Sequence, residues 1–146
     1  MIKTVEHNRI QKTRLDAMKW KGGFWGSRFD KCGDLMLSNL EGALLNEDNS
    51  AYLKNFARVA GSEAGGHVGT EWSDGDCYKW IQAAAHVFAV NKDSDLDAKM
   101  DGYIADIAAA QDSDGYINTF NQLNKKGRWS WYRDHEIYNL GHLFTA

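Results

Sequence analysis

The sequence predicts an all-α fold. Apolar residues recur near the 3.6-residue period of a helix in five successive segments, and no βαβ pattern or exact repeat interrupts them. Proline is absent, which favours uninterrupted helices. The segments are joined by alternately short and long loops. Helical hairpins of this kind build bundles, solenoids and (α/α) barrels.

The N-terminal part of the chain is predicted to be a non-helical arm followed by two helices. Residues 1–26 are polar and then rich in glycine and aromatic residues, so we expect an arm and loop there. Residues 27–146 are expected to form one helical domain. Its first helix starts at Ser27, a plausible N-cap, and a shorter helix spans about 49–60.

The central part of the chain predicts a glycine-rich loop and a helical hairpin. Residues 61–75 contain five glycines, and an apolar stripe then marks a helix over about 76–90. Asp74 and Asp76 complement the N-terminus of that helix. Ser94 with Asp97 resembles a capping box for a further helix that ends near residue 110.

The C-terminal part predicts a long connecting segment and a last helix. Within residues 111–133, Asp114-Gly115 marks a turn and YINTF reads as a short extended stretch. The last helix is predicted to begin near Asp134.

Composition excludes several classes of partner and location. The formal net charge is −3 and the basic residues are scattered, which argues against nucleic-acid binding. No apolar run approaches the ~18 residues of a membrane span. The first residues lack the apolar stretch of a secretory signal, so a cytoplasmic location is the expectation.

A metal site within this chain is not expected. His135 and His142 are seven residues apart, roughly 10.5 Å along a helix axis, because each residue rises about 1.5 Å. One zinc ion, whose ligands lie about 2 Å away, cannot bridge them. Cys32 and Cys77 form neither a disulfide framework nor a CxxC knuckle, and Cys77 lies in an apolar stripe.

The last helix carries a polar stripe and an apolar stripe. The polar stripe consists of His135, Tyr138 and His142; the apolar one consists of Ile137, Leu140 and Phe144. Donors, acceptors and a ring on one face suit a polyhydroxylated ligand. The alternative is that the histidines bond to backbone carbonyls.

Two other stretches offer candidate site residues, each with a structural alternative. Asp74 and Asp76 in SDGDCYKW either point into a cleft or only cap a helix. Tyr116 and Asn118 in QDSDGYINTF follow a turn, and either could be structural.

Taken together, three stretches resemble a known family. DGDCYKWIQAAAHVFA, IADIAAAQDSDGYINTF and DHEIYNLGHLFTA follow one another as in the β-L-arabinofuranosidases of glycoside hydrolase family 127, and GGFWGSRFD at 22–30 resembles an early motif of that family. The resemblance implies an (α/α)6 barrel followed by β-sandwich domains in a much longer chain. Residues 27–146 are therefore expected to be an incomplete (α/α)6 barrel, the N-terminal portion of the catalytic domain.

The resemblance also implies a site. The histidine that matches His135 lies in the family's sugar pocket, and motif match plus residue chemistry add Asp74, Asp76 and Tyr116 as substrate-binding candidates. The expected substrate is a carbohydrate of the L-arabinofuranoside type.

The family's catalytic groups match no position in this chain. In the family a zinc-bound cysteine thiolate is the nucleophile and a glutamate is the acid/base, and neither Cys32 nor Cys77 occupies the matching position. We therefore expect no catalytic residue and no zinc here, and no activity from the 146 residues alone.

Two further interpretations stay open at this point. The chain could be a non-catalytic helical module for sugar binding or assembly, or part of another (α/α) barrel sugar enzyme, such as an unsaturated uronyl hydrolase. In each case, uncovered apolar helix faces predict self-association.

Overall fold

A computed structural model describes residues 13–48 and 50–146, and within them the chain is all-helical, as predicted. No strand occurs in these described ranges. The helices are α1 (Gly23–Lys31), α2 (Leu37–Leu45), α3 (Tyr52–Val59), α4 (Ser73–Asn91), α5 (Ser94–Ala109), α6 (Thr119–Leu123) and α7 (Glu136–Leu143). Two 3₁₀ turns, Leu15–Ala17 and Tyr132–Asp134, and one π-helical turn, Cys32–Met36, complete the secondary structure.

The first predicted helix is present but starts earlier than expected. α1 begins at Gly23 with Gly22 as its N-cap, so the prediction that Ser27 caps it is wrong. The π-helical turn links α1 to α2 without a break in helical backbone. A β-carbon on Gly33 in this turn would lie 3.1 Å from Val87 Cγ1, so the turn packs closely against α4.

α4 is the central element of the fold. It contacts α2, α3, α5 and α7. Its buried side chains include Tyr78 and Trp80, which meet Phe56 of α3 and Tyr103 of α5 edge-on or tilted. Trp80 Nε1 donates to the Leu37 carbonyl at 3.0 Å, so the indole satisfies its one donor while filling the core.

α4 begins at Ser73, three residues before the predicted start. Asp74 and Asp76 therefore lie within its first turn rather than in the preceding loop. The glycine-rich loop before it is present and is anchored by α3. Asn55 donates to the Val68 carbonyl at 2.9 Å and accepts from the Val68 N–H at 3.1 Å.

The residue that caps α5, the second helix of the α4–α5 hairpin, is not the predicted one. Asp93, not Ser94, is the N-cap of α5, and its carboxylate accepts from the N–H groups of Asp95 and Leu96. The predicted capping box is therefore wrong. An aspartate that precedes a serine can cap equally well, and only the backbone path decides between them.

The segment after α5 combines a confirmed turn with an unexpected helix. The Asp112 N–H donates to the Tyr116 carbonyl at 2.9 Å across the turn, and Gly115 supplies the positive φ of 86° that the turn requires. Residues 116–118 are non-helical, but α6 begins at Thr119. The prediction that YINTF is an extended stretch is therefore wrong for its last two residues. Asn118 caps this helix by accepting from the Asn121 N–H at 2.9 Å.

The last helix, α7, starts at Glu136, and two of the three residues of its predicted apolar stripe are exposed while Leu140 is half-buried. Ile137 is 79% exposed and Phe144 80% exposed. The described residues alone therefore do not cover this face. No helix in the described part of the chain is both long and apolar enough to cross a membrane.

Candidate functional site

The structure brings Asp76 and His135 to the same side of the helix layer, where α4 packs against α7. Lys79 Nζ donates to Asp76 Oδ1 at 3.1 Å and to the Tyr138 hydroxyl at 2.6 Å. The Tyr138 ring in turn lies edge-on to the rings of His135, 6.0 Å away, and His142, 4.7 Å away. We refer to these five residues as the α4–α7 cluster.

Close approach of the two helices depends on Gly75. A β-carbon there would lie 2.9 Å from Tyr138 Cε1, 3.1 Å from Asn139 Oδ1 and 3.3 Å from His142 Cδ2. Real β-carbons essentially never come as close as the first of these distances. The absence of a side chain at Gly75 therefore lets the aromatic face of α7 lie directly on α4.

Asn139 locks this contact. It is buried, its Oδ1 accepts from the Gly75 N–H at 3.0 Å, and its Nδ2 donates to the Glu71 carbonyl at 2.9 Å. One side chain thus ties α7 both to the first turn of α4 and to the loop before it. Sequence analysis did not single out Asn139, because its role depends on a contact 64 residues away.

His135 occupies a strained position between the 3₁₀ turn and α7. Its backbone is left-handed, with φ 54° and ψ 23°, which is costly for a residue with a β-carbon. Nδ1 is in hydrogen-bond contact with the Arg133 carbonyl, and because a carbonyl only accepts, Nδ1 carries the proton. In that tautomer Nε2 is the ring nitrogen that can accept a hydrogen bond.

Neighbouring groups define the chemistry around the half-exposed His135 ring. Trp72 lies edge-on at 5.2 Å, and a Glu71 carboxylate oxygen is 4.0 Å from Nδ1. On the other side, the Tyr138 hydroxyl bond raises the pKa of Lys79, with smaller contributions from Asp76. The cluster therefore combines an acceptor, a carboxylate, an ammonium group and flat rings, which is a set suited to hydroxyl groups.

Asp74 has a different environment from Asp76. It is buried, and its two carboxylate oxygens accept from Thr119, one from the side-chain hydroxyl and one from the backbone N–H at 2.8 Å. Burial raises the pKa of Asp74 to about 6, against the opposing effect of these hydrogen bonds. The structure gives Asp74 the role of joining α4 to α6, and both of its oxygens are occupied by protein groups.

Tyr116 contacts the start of α7 through Glu136. Its hydroxyl donates to Glu136 and accepts from Asn121 Nδ2 at 3.3 Å, while burial raises its pKa. The ring faces the Arg128 guanidinium at 4.2 Å. Tyr116 is therefore placed to support the His-Glu pair, and its hydroxyl is already bonded to protein groups.

Glu136 lies next to His135 and was not among the candidates that the sequence offered. It is buried; one carboxylate oxygen accepts from the Tyr116 hydroxyl and the other from the Trp129 N–H at 2.7 Å. A glutamate in the first turn of a helix is usually interpreted as complementing the helix dipole. Its position directly after His135 was the only signal in the sequence.

A cavity of about 290 Å³ opens next to His135. It is lined by Trp129, Trp131, Tyr132, His135, Glu136, Ile137 and Tyr138. His135 and Tyr138 belong both to this lining and to the α4–α7 cluster, so the two features share residues.

Zinc chemistry of the kind that the resemblance implies does not fit the residues described. No group of three or more His, Cys, Asp or Glu side chains within residues 13–48 and 50–146 could hold a metal ion. Cys77 is fully buried and burial raises its pKa well above the ordinary value, so its thiolate is disfavoured. Cys32 contacts the Met36 sulfur at 3.8 Å.

Comparison with known proteins decides the family. The model of the GH127 catalytic domain of β-L-arabinofuranosidases matches residues 17–146, which is nearly the whole chain. The chain belongs to this family. Both the α4–α7 cluster and the aromatic cavity lie inside the matched region.

Individual members of the family agree with this assignment. The chain is 32% identical over 129 residues to the non-reducing end β-L-arabinofuranosidase of Bifidobacterium longum subsp. longum, an alignment that covers 84% of this chain and 20% of that protein. The crystal structure of a GH127 β-L-arabinofuranosidase from Geobacillus stearothermophilus T6 superposes with a TM-score of 0.80 at 30% identity, covering 86% of this chain and 21% of that one.

A second solved structure supports the same fold. A GH127 β-arabinofuranosidase matches with a TM-score of 0.74 at 27% identity, covering 88% of this chain and 22% of that one. The chain therefore spans about a fifth of the length of these GH127 relatives. The helices described here correspond to the helical part of those proteins.

Proposed function

We propose that this chain supplies the substrate-side wall of a β-L-arabinofuranosidase, in which His135 and Asp76 hydrogen-bond the arabinofuranosyl ring. Membership of the GH127 family and the names of the relatives support the reaction class and the sugar. The observation that carries the site is the contact of His135 with Tyr138 within the α4–α7 cluster, together with the Arg133 carbonyl on Nδ1, which leaves Nε2 as the acceptor in that tautomer.

In this proposal the described residues bind the sugar, and the catalytic groups lie outside them. His135 accepts a hydrogen bond from one sugar hydroxyl and Asp76, oriented by Lys79, accepts from another. Tyr116 and Asp74 act one layer back, through Glu136 and Thr119 respectively. Hydrolysis then requires a nucleophile and an acid/base that this part of the chain does not provide.

Ligand binding to His135 is the direct test. We expect His135→Ala to weaken binding of methyl β-L-arabinofuranoside about tenfold or more, because an unpaired sugar hydroxyl costs ~1–3 kcal/mol. Saturation-transfer NMR titration of the full 146-residue chain measures this affinity.

His86 provides a matched control for that experiment. It is exposed on α4 and contacts the Gln82 carbonyl, so His86→Ala removes the same ring without touching the α4–α7 cluster. Equal affinities of the His135→Ala variant and the unmodified chain would contradict the proposed site.

A further inference from the structure

Charge is distributed unevenly along this chain. Residues 13–31, which lead into and include α1, carry five basic and two acidic side chains, although the whole chain has a formal net charge of −3. Residues 93–109, the N-cap and body of α5, carry five aspartates and one lysine. Complementary charge steers protein association, so two copies of this chain offer each other surfaces of opposite sign.

The basic surface is also aromatic. Trp20, Phe24 and Trp25 are 54%, 63% and 63% exposed, respectively. The ring centroids of Trp20 and Trp25 are 6.5 Å apart, and those of Phe24 and Trp25 are 5.0 Å apart. The Arg28 guanidinium lies 5.1 Å from the centre of the Phe24 ring. We refer to this surface as the α1 face, which consists of Lys19, Trp20, Lys21, Phe24, Trp25 and Arg28.

The acidic surface contains a groove between α2, α4 and α5. Its volume is about 120 Å³, whereas one water molecule requires about 10–15 Å³, so the groove has room for a side chain. Leu37 and Leu96 contribute apolar lining, and Asp34, Asp93 and Asp95 contribute carboxylates. We refer to it as the acidic groove.

The protein neutralises the charge of the acidic groove only in part. Lys99, a basic residue in the lining, donates to Glu41 at 2.7 Å, and Glu41 also accepts from the Tyr103 hydroxyl at 2.8 Å. In the part of the chain that the structure describes, no ion pair engages the exposed Asp34 or Asp95. Carboxylates beside apolar walls suit a cationic side chain with an apolar stem.

The α1 face and the acidic groove lie close together on one molecule. Asp34 belongs to the π-helical turn Cys32–Met36, which continues α1 without a break. Arg28 and Asp34 are therefore roughly 9 Å apart along the helix axis, because each residue rises about 1.5 Å. In a two-fold interface each copy presents the same surface, so every contact between two patches occurs twice. Adjacent patches of opposite charge allow both contacts to form in one dimer.

We propose that the α1 face of one copy docks on the acidic groove of a second copy, and the reverse, in a two-fold dimer. Lys19 and Lys21 face the carboxylates of Asp34 and Asp95 across the interface, and the aromatic rings of the α1 face cover the apolar walls of the groove. This interface is distinct from the exposed apolar side chains of α7.

Charge reversal on each surface tests the docking. Lys19→Glu with Lys21→Glu reverses the α1 face, and Asp34→Lys with Asp95→Lys reverses the acidic groove. Each double variant is expected to lower the association constant about tenfold or more in sedimentation at about 0.1 M NaCl, since exposed ion pairs are individually weak but occur twice in a two-fold dimer. All chains carry Phe144→Glu, because the exposed Phe144 of α7 offers a separate apolar contact.

A mixture of the two double variants is the decisive measurement. Self-pairing of either variant brings like charges together, whereas pairing between the variants restores both contacts. The mixture is expected to recover an association constant within about threefold of the Phe144→Glu chain, as coupled charge pairs should. Raising NaCl from about 0.1 M to about 1 M shortens the screening length from about 10 Å to about 3 Å and should weaken both of these dimers.

Lys125→Glu with Arg133→Glu is the control for net charge. These exposed residues follow α6, outside both surfaces, and their reversal changes the net charge as much as reversal of the α1 face does. This control should associate like the Phe144→Glu chain. Circular dichroism establishes that each variant retains its helices, and recovery in the mixture independently excludes unfolding as the cause of a loss.

Several results would overturn the proposal. They are a Phe144→Glu chain that stays monomeric at every concentration, a double variant that associates as tightly as that chain, a mixture that does not recover, and an equal loss in the net-charge control. A mass that grows beyond the dimer would overturn the two-fold arrangement, because contacts that do not close on themselves produce open chains.

Discussion

At the scale of single residues, the geometry of the candidate site depends on groups outside the α4–α7 cluster. Gly75, Asn139 and Glu136 set the positions of Tyr138, His142 and His135 through one close approach and four hydrogen bonds. A sequence motif shows that such residues are present but not which of them pack between the helices. Only the packing of α4 on α7 shows which of them hold the cluster together.

Substitution of Gly75 tests the close approach directly. We expect Gly75→Ala to lower the free energy of unfolding by about 1–3 kcal/mol, because the new β-carbon meets Tyr138 and Asn139 and forces the helices apart. Urea denaturation followed by circular dichroism measures the change. Gly102→Ala is the control, since a β-carbon there meets nothing within 4 Å and should stabilise α5 by roughly 0.5–1 kcal/mol. Destabilisation of both variants alike would contradict this account.

The raised pKa of Asp74 predicts that the stability of the folded chain depends on pH. Burial raises its folded-state pKa to about 6, above an ordinary value of 3.8. Between these values the folded chain binds a proton that the unfolded chain releases, so this group's contribution to stability is present below pH 4 and is lost as pH rises through 6. The Asp74→Asn variant lacks the cost of ionising a buried carboxyl group. We therefore expect the stability of this variant, relative to the unmodified chain, to rise by roughly 2 kcal/mol from pH 4 to pH 7.

His67 is predicted to make stability change with pH in the opposite direction, and it provides a control for the Asp74 measurement. Burial, assisted by the Arg58 charge, lowers the pKa of His67 to about 4. The unfolded chain then binds the extra proton between pH 4 and 6.5, so stability from this group rises with pH through that window. His67→Gln should therefore change the pH slope in the direction opposite to Asp74→Asn. Thermal melts of the two variants across pH 4–7 that shift in the same direction would refute both assignments.

At the scale of helices, the sequence predicted which helices exist and in what order they occur. It predicted less well where each helix starts and ends. The apolar stripe of α4, from Cys77 to Phe88, identified the central helix because its burial repeats with the helical period. The starts of α1 and α4 were placed three or four residues late, because Gly23 and Ser73 carry no apolar signal. α6 was missed because its five residues are too few for periodicity, and Asn118 alone marks its start.

Substitutions at the start of α5 test which residue caps this helix: Asp93, as in the structure, or Ser94, as the sequence predicts. Asp93→Ala is expected to lower stability by about 1 kcal/mol, since its carboxylate satisfies two N–H groups of the first turn. Ser94→Ala should have almost no effect, because Ser94 is the first helical residue rather than the cap. Urea melts of the two variants measure both changes. A larger loss for Ser94→Ala would restore the capping box that the sequence predicts.

At the scale of the whole molecule, the described helices bury one face and expose another. α4 is covered by four other helices, whereas α7 and α1 carry large apolar side chains at the surface. Across the described residues, the most exposed large apolar side chains are those of Met18, Phe24, Trp25, Met36, Tyr132, Ile137 and Phe144. The sequence showed the apolar stripe of α7, but whether Ile137 and Phe144 are covered depends on neighbours that no stripe specifies.

Self-association is the consequence that we predict from this surface. Contiguous exposed apolar area beyond a few hundred Å² favours association, and a formal net charge of −3 opposes it weakly. We expect the weight-average mass of the chain in sedimentation to rise with protein concentration. Phe144→Glu should lower the association constant about tenfold or more, because burying a phenylalanine contributes about 1.5–3 kcal/mol and a buried carboxylate opposes contact. Thr145→Glu adds the same charge one residue later without removing apolar surface and should have a smaller effect. A monomer at every concentration, or equal effects of the two variants, would show that this face of α7 does not drive association.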